Sequence, residues 1–262
     1  MNPLQPFASM KSAAFTLTCF VLLFLPSTTA MAQSPSREVT ICFGDFRPFE
    51  FKDGGTMKGM NVEILETMAA SRGITIHWSV YPWARCLYLA KIGNVDGLMS
   101  LYRSAEREEF LYFPDEHINL DESVFFTFPG SDVAFDGTLK SLTGMEVLVA
   151  TANSYGHDFD NAENIIKVEA PNSVNVVRMI ACRRYKIGIG SRKAIETEIA
   201  AQGYEKNLVI LEPPYYIKTY FAFSKKKGLS HKALARDFSD ALQSFKKSGG
   251  YEQILKKYGY WK

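Results

Sequence analysis

The sequence predicts an α/β protein built from two similar halves, and three observations carry that prediction. From about residue 39 onward, short apolar runs with the two-residue period of strands take turns with amphipathic stretches of helical period. The alternation breaks at an aromatic extended run, Ser123 to Phe128, closed by the turn signal Pro129-Gly130, and then starts again. A second extended run, Tyr215 to Phe223, follows Pro213-Pro214 and leads into two closing helices, so the chain crosses between the halves twice.

The elements follow in order. Val39 to Phe43 reads as a first strand. Asn61 to Arg72 reads as a helix, with Val62, Leu65, Met68 and Ala69 on one face and Gly73 just past its end. Ile74, Ile76, Trp78 and Val80 alternate with polar residues as in a half-buried strand. Pro82 opens a helix from Trp83 to Ile92 that Gly93 stops, and Val95 to Leu101 is the next strand; this βαβαβ order implies a parallel sheet flanked by helices. In the second half, strands are expected at Glu146–Ala150, Ile165–Val168, Ile187–Gly190 and Leu208–Leu211. Helices are expected at Ser154–Asn161, Ser173–Cys182 and Ser191–Gln202. The closing helices carry Leu234, Phe238, Ala241, Leu242 and Phe245, then Tyr251, Ile254, Leu255 and Tyr258.

Ahead of this pattern, Lys11 precedes an apolar run from Ala13 to Leu25, followed by Pro26 and Ala30-Met31-Ala32. That is the order of a secretory signal peptide over residues 1–32, cleaved after Ala32. The run is short of the roughly 18 apolar residues of a membrane span, and Cys19 lies inside it rather than after it, which argues against lipidation. With 30 basic against 28 acidic side chains, the charge is too even for nucleic acid or a membrane surface to be the partner. Cys42, Cys86 and Cys182 are too few for a disulfide framework; buried free thiols are expected, with a single bridge as the alternative. The four histidines show no metal-ligand spacing, and neither a metal nor a cofactor is expected.

Three stretches carry a resemblance. The first is Phe46-Arg47-Pro48-Phe49-Glu50-Phe51, with Asp53-Gly54-Gly55 and Gly59-Met60-Asn61-Val62 behind it. The second is Gly93-Asn94-Val95-Asp96-Gly97-Leu98-Met99-Ser100, running into Ser104-Ala105-Glu106-Arg107 and Phe110. The third is Gly249-Gly250-Tyr251-Glu252-Gln253-Ile254 with Tyr258-Gly259-Tyr260-Trp261. In this order they resemble the family 3 extracellular solute-binding proteins, the periplasmic receptors of polar amino acid ABC importers. The resemblance implies a two-lobed α/β fold of the type II periplasmic-binding-protein kind, with the ligand cleft between lobes. Lobe 1 would comprise residues 33–124 and, returning, 217–262; lobe 2 would comprise 125–216. It further implies a monomeric periplasmic receptor that hands a small carboxylate-bearing solute to a membrane permease without chemistry. A cyclohexadienyl-type dehydratase on the same fold, or a sensing module for a membrane partner, is the alternative.

The resemblance also assigns site residues. Arg107 matches the family arginine that grips a ligand carboxylate, for which a planar guanidinium fork is suited; as sequence alone it sits in the charged run Glu106–Glu109. Phe46 and Trp83 fall where the family places aromatics against the solute. Arg85 is either a second basic contact or a solvated helix residue. Ser100 and Tyr102 lie where parallel strands end and open α/β sheets bind ligands. Asn153, Ser154 and Tyr155 occupy the turn into a helix, whose free N–H groups would favour an anion unless Ser154 only caps it.

One position departs from the family. The carboxylate that accepts the ligand ammonium aligns with Ser191, Lys186 stands where an acid is usual, and Arg192 is close by. A hydroxyl supplies no compensating charge. Zwitterionic α-amino acids are therefore expected to bind weakly unless Asp45, Glu50 or Asp158 reaches the cleft.

Overall fold

The computed structural model describes residues 37–260, so the segment read as a signal peptide lies outside the described residues. The first half runs β1 (Arg37–Phe43), the hairpin β2 (Phe51–Asp53) and β3 (Thr56–Lys58), α1 (Met60–Ser71), β4 (Ile74–Val80), α2 (Trp83–Ile92), β5 (Gly97–Tyr102), α3 (Ala105–Phe110) and β6 (Leu111–Tyr112). β1 lies between β4 and β5 and is parallel to both, as the βαβαβ order requires. Helix α2 begins after Pro82 and ends at Gly93 in the left-handed region, φ 82°, where a side chain would be strained.

β7 (Asn119–Thr127) leads into the second half: β8 (Glu146–Ala150), α4 (His157–Asp160), β9 (Ile166–Ala170), α5 (Ser173–Ala181), β10 (Ile187–Ser191), α6 (Arg192–Gln202) and β11 (Val209–Ile210). β8 is parallel to β9 and β10, and β10 is antiparallel to β7. The chain returns along β12 (Tyr215–Ser224) and closes with α7 (Leu229–Lys247) and α8 (Gly250–Lys257). A ten-stranded mixed sheet results, whose main path is β4-β1-β5-β12-β7-β10-β8-β9. The long strands β7 and β12 pair antiparallel at its centre, from Tyr215 opposite Ser123 to Thr219 opposite Asn119.

The apolar residues separate into cores at the two ends of this sheet, which gives the molecule two lobes. Phe43, Ile64, Leu65, Phe221, Phe238 and Leu242 pack at one end. Phe126, Leu148, Val177, Ile180 and Ile195 pack at the other, with Phe125, Val147 and Ile187 on the opposite sheet face. Gly59 fixes the entry to α1: its φ is 121°, and a Cβ there would lie 2.2 Å from the Phe49 carbonyl oxygen. Only glycine lets the chain pass so close, and that passage carries Asn61 beside Glu50.

Two expectations are corrected. Cys42 on β1 and Cys86 on α2 form a disulfide, their Cα atoms 5.5 Å apart, and Cys182 is exposed; the thiols are not three buried free groups. Helix α2 packs on the strand that precedes it by one βαβ step, so residues 44 apart in sequence meet. The helix expected from Ser154 is a single turn beginning at His157, with Gly156 at its cap position. Asn153 to Gly156 are not helical.

Candidate functional site

A cavity of ≈ 440 Å³ opens between the lobes, lined from the β1–β2 segment, the ends of β4 and β5, α3, the turn after β8, and the starts of α5 and α6. Phe46, Trp83, Ser100, Tyr102, Arg107, Asn153, Ser154, Tyr155 and Ser191 all line it. Arg85 does not: it is exposed on α2, its guanidinium 4.6 Å from the centre of the Tyr81 ring.

Arg107 is the cavity's buried cation. The charged run folds as α3, capped by the Ser104 hydroxyl on the Arg107 N–H, and this turns the Arg107 side chain inward to 6% exposure. Its Nη1 donates to the Tyr102 carbonyl at 2.8 Å, and its Nη2 to the Ala152 carbonyl at 3.2 Å. Burial lowers its proton affinity, and Asp160 and Glu106 act on its charge from nearby, but no carboxylate among the described residues ion-pairs with it. Arginine nevertheless stays charged. A buried cation that meets two carbonyl dipoles and the Trp83 ring, 5.7 Å from its centre, but forms no ion pair leaves a place for an anion.

The turn after β8 is arranged differently from the expected helix start. Tyr155 N–H donates to Asp160 Oδ1 at 2.8 Å, and the Ser154 hydroxyl donates to Asp160 Oδ2. A carboxylate of the protein itself therefore takes the donors that were expected to face an anion. Ala152 holds φ 61°, uncommon outside glycine, and its carbonyl also accepts from Trp83 Nε1 at 3.0 Å.

The lining also carries carboxyl groups. Asp45, Glu50 and Asp121 all line the cavity, whereas exposed Asp158 does not. Glu50 is 2% exposed; its Oε2 accepts from the Ser100 hydroxyl at 2.7 Å and from Asn61 Nδ2 at 3.1 Å. Burial pushes its pKa up to about 8, against the lowering effect of those two donors, with the charges of Asp121 and Asp45 adding to the rise. Ser100 holds φ 56° and itself accepts from Asn61 Nδ2 at 2.6 Å. Asn61 in turn accepts from Asn119 Nδ2 at 2.9 Å, and Asn119 accepts from the Thr219 hydroxyl. Asp121 joins the lobes: Tyr102 donates to its Oδ2 at 2.6 Å and Ser191 to its Oδ1 at 2.7 Å. Burial raises the Asp121 pKa, and these hydroxyls lower it. The expectation drawn from Ser191 assumed a cleft without an acid, and that premise fails.

Asp121 escaped the sequence reading because its strand shows an inverted pattern. Asn119, Asp121 and Ser123 point inward at 3%, 2% and 0% exposure, while Leu120 between them is 44% exposed. The two-residue period was present from Asn119, with polar residues on the buried face.

Comparison with known proteins gives consistent results. The family described as bacterial extracellular solute-binding proteins, family 3, matches residues 39–260. A probable amino-acid-binding protein of Bacillus subtilis is 22% identical over 218 residues, covering 82% of this chain and 81% of that protein. A probable histidine-binding protein of Neisseria gonorrhoeae is 22% identical over 228 residues, covering 82% and 80%. Among solved structures, a histidine kinase sensor domain with similarity to periplasmic binding proteins superposes with a TM-score of 0.72 at 23% identity, over 84% of this chain and 95% of that one. That likeness is one of fold.

Proposed function

The chain belongs to the bacterial extracellular solute-binding proteins, family 3, and from that premise we propose that it captures a small carboxylate-bearing solute, an amino acid or related organic acid, for the permease of an ABC importer. The observation that carries the solute class is Arg107, a buried guanidinium lining the cavity with no carboxylate paired to it. A solute carboxylate seated there would supply the missing charge and accept from the N–H donors that the two carbonyls leave over.

The protein acts as a monomer in the periplasm, exported by the segment read as a signal peptide. In this reading lobe 1 comprises residues 33–124 and 217–262, lobe 2 comprises 125–216, and the lobes close about the paired strands β7 and β12. The segregated cores support that division. Among the described residues no helix is long and apolar enough to cross a membrane. The solute is bound and released unchanged, as the names of the relatives suggest for those proteins.

A thermal-shift screen of amino acids and small organic acids tests the reading. A solute at a hundred times its dissociation constant adds about 2.7 kcal/mol of stability. Recovery of each hit after incubation separates binding from turnover, and a transformed solute would replace the receptor reading with an enzymatic one.

A further inference from the structure

Glu50 places a carboxyl group in the cavity wall with one oxygen committed and one open. Both donors that reach it, Ser100 Oγ and Asn61 Nδ2, converge on Oε2; Oε1 has no hydrogen-bond partner among the described residues. The side chain is 2% exposed and borders the cavity. The open oxygen is not among the fully enclosed unpaired atoms of the described residues, so it meets the cavity, the space the solute would fill. The donors themselves are held fixed, because Asn61 is anchored by Asn119 and Ser100 adopts a left-handed backbone conformation.

We propose that Glu50 selects solutes carrying a cationic group in addition to the carboxylate, and that seating this cation expels one proton from the Glu50 carboxyl to solvent. This deepens the reading of the cavity as a solute site and rests on it. The balance is simple: a protonated carboxyl and a hydrated ammonium or guanidinium become a carboxylate–cation pair and one released proton. Every charged group that faces Glu50 favours a cation or is already engaged. Asp121 on β7 is a carboxyl already hydrogen-bonded to Tyr102 and Ser191. Asp45, on the segment before Glu50, pairs with Arg47 at 3.4 Å, and both act alongside the neutral partners Asn61 of α1 and Ser100 of β5. Arg107 of α3, the buried cation on the same cavity, is the partner for the solute's carboxylate. With a carboxyl pKa of about 8 in the empty cavity, Glu50 holds its proton at neutral pH until a cation displaces it.

The experiment is calorimetry of the protein with L-arginine and L-glutamine as cation-bearing probes, and with glutarate and lactate as carboxylates lacking a cation. Each titration is run in phosphate and in Tris, whose heats of ionisation differ, from pH 6 to pH 8. The expected result is binding of an amino acid with release of about 0.9 proton at pH 7, and affinity that rises about tenfold per pH unit up to pH 8. Glu50→Gln should abolish the release and flatten the profile. The wild-type buffer comparison stands by itself if that variant does not fold. Amino-acid binding without proton release, or binding of the cation-free acids alone, overturns the proposal and leaves the solute-binding reading intact. If no probe of either kind binds, the solute reading falls with it.

Discussion

Arg107, in the cavity lining, is hydrogen-bonded to Ala152 on the turn after β8: the guanidinium donates to the Ala152 carbonyl at 3.2 Å. Trp83 donates to the same oxygen at 3.0 Å, so side chains on α2 and α3 of one lobe meet a single acceptor on the turn after β8 of the other. The left-handed conformation of Ala152 aims that acceptor. The lobes are thus linked at the site by hydrogen bonds whose donors also line the cavity.

Replacing Arg107 tests the carboxylate subsite. Arg107→Ala should weaken binding of a carboxylate solute by more than ~1.5 kcal/mol, the lower range for hydrogen bonds to charged groups. Circular dichroism should show the fold retained. Affinity by calorimetry that is unchanged would return Arg107 to a purely structural role.

Trp83→Phe keeps an aromatic ring in the wall and removes only the Nε1–H bond to Ala152. A neutral hydrogen bond is worth about 0.5–1.5 kcal/mol, so solute affinity should fall roughly two- to thirteenfold if the link favours the closed arrangement. Equal affinity for the two proteins would show that the ring alone matters.

The strands and helices with an apolar period were legible in the sequence, and α2, β4 and β8 fall at the expected residues. What was not legible was set by tertiary contact. Arg107 reads as a surface residue among Glu106, Glu108 and Glu109 until α3 turns it inward. Asp121 lies on a buried strand face that is polar, which hydrophobic periodicity cannot reveal. The Cys42–Cys86 pairing depends on how α2 packs against β1, a relationship that no local spacing encodes.

That disulfide should be a principal source of stability. It closes a loop of 44 residues, for which chain entropy gives about 4 kcal/mol. The double replacement Cys42→Ala, Cys86→Ala should lower the melting temperature by about 10 °C in a domain of this size. Reducing agent should lower the wild-type value similarly. A shift of only a degree or two by differential scanning fluorimetry would mean that the packing of α2 on β1 holds without the bridge.

Glu50 gives the solute-free protein a pH dependence of definite sign. Its folded pKa is raised to about 8, against about 4.3 in an unfolded chain. Between those values the native state keeps a proton that the unfolded state has lost, so this contribution stabilises the protein at low pH. It is fully present below about pH 4.3 and disappears as the pH rises through about 8. Asp121, also raised, acts in the same direction, while Asp96, whose pKa is lowered through the Thr40 N–H, His231 and Lys227, acts in the opposite one. The total slope is therefore not diagnostic, but the difference between Glu50→Gln and wild type is, because glutamine occupies the same space without titrating. From pH 5.5 to pH 8 that difference should move by ~3 kcal/mol in favour of the variant, read from urea unfolding at each pH. A difference that stays constant across this range would mean that Glu50 is already ionised in the empty cavity, and that Ser100 and Asn61 outweigh the cost of burying its charge.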